Sequence, residues 1–72
     1  MNRRFTVILQ PEQEGFSVFV PALPGCASQG ETEAEALANI KEAIALYLEG
    51  LKADRQPIPP SDVYLREVEV AA

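Results

Sequence analysis

The sequence contains no histidine, a single cysteine, few cations and no long apolar run. Without histidine the commonest general base and metal ligand is missing, so Ser-His and Cys-His nucleophilic catalysis are excluded. Cys26 stands alone, which rules out an intrachain disulfide and an ordinary tetrahedral zinc site and suits a reducing cytoplasm. Nothing beside it in the sequence would activate a thiol, so Cys26 reads as a small buried hydrophobe next to Gly25. The start M-N-R-R-F-T-V-I-L-Q has too short an apolar run for a signal peptide, and no segment reaches membrane-spanning length. The expectation is a cytoplasmic chain without membrane association, cofactor or metal.

Six Lys and Arg stand against eleven Asp and Glu, giving a formal charge of −5 and a sequence pI near 4.5. Binding a polyanion depends on clustered cations that release counterions, and here the cations are scattered, so direct nucleic-acid binding is not expected. An acidic chain suits a basic macromolecular partner, approached by long-range attraction that salt weakens. Gly25 and Gly30 lack the lysine and hydroxyl residue of a phosphate-binding loop, and Glu31 would repel phosphate.

What is present fits one domain over residues 1–72. A chain this short buries only about 60% of its unfolded surface, so a homodimer or higher homo-oligomer is expected. From Arg3 to Gln10 alternation puts Phe5, Val7 and Leu9 on one strand face, P-E-Q-E-G makes a turn, and Phe16, Val18 and Val20 repeat the pattern as an antiparallel hairpin. Ile8 and Phe19 fall on the reverse face, which marks them, together with Leu46 among the polar residues of the following helix, as candidate self-association contacts.

A loop stiffened by Pro21 and Pro24 leads to a short polar edge strand over 26–30. Thr32 followed by Glu35 has the spacing of a capping box, so a helix is expected from Glu33 to about Asp54. Its apolar stripe is Leu37, Ile40, Ile44, Tyr47, Leu48 and Leu51, flanked by Ala36 and Ala43. Pro57, Pro59 and Pro60 end it, and a last strand is expected from Asp62 to Val70, with an apolar phase break between Leu65 and Val68 that calls for a bulge or a subunit boundary. The order β-β-β-α-β gives an α+β two-layer sandwich, mainly antiparallel with one long helix.

Carboxylates are the only catalytic material, and Glu31, Glu33 and Glu35 are the densest set. A first-turn position at a helix N-terminus already accounts for them, since each acidic residue there gains a few tenths to about 1 kcal/mol. A partner-binding role ranks above metal-assisted hydrolysis, which would need two carboxylates converging on an ion.

The succession Glu14-Gly15-Phe16, Pro21, Leu23-Pro24-Gly25-Cys26, Gly30, Thr32, Glu35-Ala36, Asn39, Glu42-Ala43 and Pro59 resembles the HicB-like antitoxin domain over nearly the whole chain. The resemblance implies a partial RNase H-like fold without that fold's catalytic carboxylates, hence no enzymatic activity. It implies a basic HicA-type toxin as partner, an mRNA-cleaving protein whose active site the antitoxin covers, and association as dimers or higher oligomers. Glu31, Glu33, Glu35, Glu42 and the loop Leu23, Pro24, Gly25 and Cys26 are the candidate toxin contacts. The chain departs from the pattern in having Ala22 where the family usually has an acidic residue or asparagine, and in lacking the C-terminal DNA-binding segment that many HicB proteins carry, so it is expected to be a short stand-alone member. The alternative is an oligomerisation or regulatory module of the same fold with no toxin partner.

Overall fold

The structure, a computed structural model, describes residues 3–61 and 63–71. Strands β1 (Ile8–Glu12), β2 (Gly15–Phe19) and β3 (Ala27–Gly30) form an antiparallel sheet in the order β1-β2-β3, and helix α1 (Glu33–Ala53) covers one face. The α+β two-layer arrangement and its antiparallel sheet are as the sequence predicts.

The hairpin is offset toward its tip. Ile8 pairs with Phe19, Leu9 with Val18, Pro11 with Phe16 and Glu12 with Gly15, leaving Gln13 and Glu14 alone to turn the chain. Pro11 is tolerated because β1 is an edge strand whose outward side needs no donor. Arg3 to Val7, expected inside the first strand, forms no ladder, although Phe5 and Val7 still pack on the core.

Two glycines set the close approaches that hold this end of the molecule together. Gly15 has φ of 107°, and a Cβ on it would collide with the carbonyl oxygen of Gly30. A Cβ on Gly30 would run into the backbone of Glu35 and Ala36, so β3 can abut the first turn of α1 only with glycine there. That proximity explains why Ala36, read from the sequence as flanking the helix stripe, lies fully buried at its centre with Ile40. Leu37 instead sits at the edge of the covered face, 37% exposed.

The core consists of Val18, Val20, Leu23, Cys26, Ala36 and Ile40, with Leu9, Phe16, Ile44, Tyr47 and Leu48 packed around it. Alternation in β2 points Val18 to the helix and Phe19 away, as the hairpin pattern predicts. The loop between β2 and β3 closes on itself: the Val20 amide donates to the Cys26 carbonyl at 3.0 Å, the Leu23 amide to Val20 at 3.1 Å and the Cys26 amide to Leu23 at 3.0 Å. These bonds satisfy the backbone while Leu23 drops into the core.

Helix α1 starts where the capping signal places it. The Thr32 hydroxyl accepts from the Glu35 amide at 3.1 Å, but the Glu35 carboxylate accepts from the Glu31 amide at 3.2 Å rather than from Thr32, so the reciprocal half of the box reaches one residue further back. At the other end Arg55 takes φ of 57°, its amide donating to Lys52 and that of Gln56 to Leu51, a closing motif normally given to glycine.

The expected last strand is not formed. Asp62 lies outside the described residues, and 63–71 carry no strand. A strand needs a neighbour to take its hydrogen bonds, and the phase break between Leu65 and Val68 leaves the segment without one continuous apolar face. Tyr64, Leu65, Val68 and Val70 are all exposed.

Candidate functional site

An acidic groove of about 560 Å³ lies where the hairpin tip meets the start of the helix. Glu12 lines it from the end of β1 and Glu14 from the β1–β2 turn, Glu31 and Glu35 from the β3–α1 junction, and Ser17, Gln29 and Asn39 complete the lining. The close backbone contacts at Gly15 and Gly30 bring these two acidic pairs together. Hydrogen bonds fix the frame: the Ser17 hydroxyl donates to Glu12 Oε1 at 2.8 Å, and Asn39 Nδ2 donates to the Gln29 carbonyl at 2.8 Å.

The groove is polar, open and rich in acceptors, a form suited to cationic side chains of another protein. Among the described residues no cluster of three or more acidic, cysteine or histidine side chains is placed to hold a metal ion. None of the described helices is long and apolar enough to cross a membrane.

The sequence-derived candidates divide into separate places. Glu31 and Glu35 line the groove, whereas Glu33 and Glu42 are exposed on the helix outside it. The Leu23 to Cys26 loop lies at the opposite end of β3, since Phe16 pairs with Gly30 at the groove end and Phe19 with Ala27 at the loop end. Within that loop Leu23 is 0% exposed and Cys26 is buried, so only Pro24 and Gly25 present surface. Burial pushes the Cys26 thiol up, which keeps it protonated and unreactive. The Pro24 carbonyl accepts from the Tyr47 hydroxyl at 3.0 Å, tying the loop to the helix.

Ile8 and Phe19 are direct cross-strand partners on the sheet face away from the helix. Leu46 is 63% exposed on the helix. Glu12, Glu14, Ser17, Gln29 and Asn39 were not among the contact candidates read from the sequence, although Glu14 and Asn39 belong to the residue pattern of the resemblance. Glu12 and Glu14 belong to P-E-Q-E-G, which reads as a turn, and their inclusion depends on the hairpin tip folding toward the helix cap, a tertiary contact that no local pattern encodes.

A profile of the HicB_like antitoxin of bacterial toxin-antitoxin system matches residues 5–69. The chain is 45% identical over 67 residues to UPF0150 protein ssr1765 of Synechocystis sp., covering 92% of this chain and 85% of that protein. It is 53% identical over 57 residues to UPF0150 protein Ta0767 of Thermoplasma acidophilum, covering 78% of this chain and 83% of that protein. An uncharacterized 14.9 kDa protein in the rep-hol intergenic region of Haemophilus phage HP1 is 35% identical over 68 residues, which are 90% of this chain and 51% of the phage protein.

Proposed function

The chain belongs to the HicB-like antitoxin family, and from that premise we propose that it is a non-enzymatic antitoxin domain that binds and masks a basic HicA-type mRNA-cleaving toxin. The observation that carries this reading is the groove holding Glu12, Glu14, Glu31 and Glu35. Carboxylates held where a basic face would otherwise meet RNA phosphates compete for the same cations, so inhibition is steric and electrostatic together. Glu42 on the exposed helix surface and Pro24 with Gly25 at the far end of β3 extend the contact, while Leu23 and Cys26 hold the loop in shape. The protein works in the cytoplasm as a homodimer or higher oligomer.

The test mixes the purified domain with a HicA-type toxin and follows both complex formation and RNA cleavage. A salt-sensitive complex that stops cleavage is expected, and Glu14→Lys with Glu31→Lys should weaken it at least about tenfold, since like charges then face each other. Tight binding by the charge-reversed protein would remove the electrostatic part of the reading.

A second reading, an oligomerisation or regulatory module with no toxin partner, shares the self-association of the first and rests on the cross-strand apolar pair of half-buried Ile8 and exposed Phe19 and on exposed Leu46. Phe19→Ser should then lower the sedimenting mass without loss of helix signal. An unchanged mass would place the subunit contact elsewhere.

A further inference from the structure

Among the described residues, an apolar groove and an exposed apolar segment are complementary and do not meet each other. Phe5, Val7, Leu37, Ile40 and Ile44 line an opening of about 280 Å³ beside the helix, with Arg3 and Lys41 also lining it. The groove follows Arg3 to Val7, which runs into edge strand β1 but carries no ladder. At the other end of the chain Tyr64, Leu65, Val68 and Val70 are exposed by 77%, 60%, 86% and 76%. Residues 63–71 form no secondary structure. Large aliphatic side chains exposed in series are unusual on a monomer and mark a contact surface.

We propose that the segment from Leu65 to Val70 docks as an added strand along Arg3 to Val7 of a second copy of this chain, with Val68 and Val70 in the groove beside Phe5 and Val7. Alternation then puts Glu67 and Glu69 on the face that carries Arg4, so the charges across the new pair are opposite in sign. Arg3 and Lys41 add cations beside the groove for an acidic segment to approach.

The occupant is a second copy because the tail leaves its own body. The radius of gyration is 14.0 Å and the longest dimension 45 Å, whereas a compact chain of this length has a radius of about 11 Å. Half-buried Ile58 shares the lining of a cavity of about 340 Å³ with Phe5, Ile44 and Leu48, which keeps the base of the tail near Arg3 to Val7, and Pro59 and Pro60 stiffen the chain directly after it. Reciprocal exchange fills both grooves with both tails and closes as a two-fold dimer, and it supplies the neighbour whose absence leaves the last strand unformed. The inference rests on the self-association proposed above, through a surface distinct from Ile8 and Phe19, and is independent of toxin binding.

The experiment uses the full chain. Sedimentation should give twice the 7.9 kDa chain mass. In a sample mixing isotope-labelled and unlabelled protein, filtered NMR contacts between copies should join the Phe5 ring to the methyls of Val68 and Val70. Val68→Pro, which removes a ladder donor from an exposed position and leaves the core intact, should raise the dimer dissociation constant at least about tenfold with helical signal retained. A dimer whose Phe5 to Val68 contacts arise only within one chain, or that lacks them, overturns the exchange but leaves self-association standing. A monomer at every concentration overturns both.

Discussion

Residues 20–40 and the two chain ends obey the same alternation and capping rules, yet one is fully determined within the monomer and the other is not. In the first region each signal has its partner a few residues away: the loop amides bond within 20–26, Thr32 caps through Glu35, and Gly30 lets strand and helix touch. In the second, Arg3 to Val7 and 63–71 carry strand-like apolar patterns with no ladder. The difference teaches that a strand pattern states only half of an interaction, because its hydrogen bonds belong to another segment, whereas a cap or a closed loop contains both halves.

The strongest way to break the comparison is to remove the loop's anchor. Leu23 is fully buried, so Leu23→Ala should cost about 2 to 5 kcal/mol in a urea titration, a large share of a small domain's stability. If the midpoint moved no further than for exposed Leu46→Ala, the loop would not be the fixed region described. Thr32→Ala tests the cap separately. Losing the acceptor for the Glu35 amide should cost about 1 kcal/mol, read as a lower melting temperature with the sheet unchanged. An unaltered temperature would mean that water replaces the hydroxyl without loss.

How much was legible follows the same division. The α1 start at Glu33, the inward face of β2 and the polar edge strand β3 were readable because each depends on spacing within a few residues. The bounds of β1 differ from the expected Arg3 to Gln10, the ladder running over Ile8–Glu12, since Pro11 and Glu12 look like turn residues until an edge position excuses the proline. Ala36 was underrated because its burial is set by Gly30, a residue on another element. The acidic groove was half visible: Glu31 and Glu35 are locally marked by the cap, whereas Glu12 and Glu14 join them only through the packing of the hairpin tip. The last strand expected from Asp62 to Val70 is not formed in 63–71, because strand-like alternation in a segment does not by itself supply the neighbour that its hydrogen bonds need.

The smallest expected effect is the sharpest test of the contrast. Val70 is 76% exposed, so in dilute protein Val70→Ala should change unfolding free energy by less than about 0.5 kcal/mol. That near-silence should not persist at high concentration. A side chain exposed in the monomer but buried against Phe5 of a second copy stabilises only the associated form, so its contribution grows with protein concentration by mass action. Melting wild type and Val70→Ala across a wide dilution series should therefore give curves that coincide when dilute and separate when concentrated. Parallel curves with a constant offset would place Val70 against its own chain and return the tail to the same class as the loop and the cap.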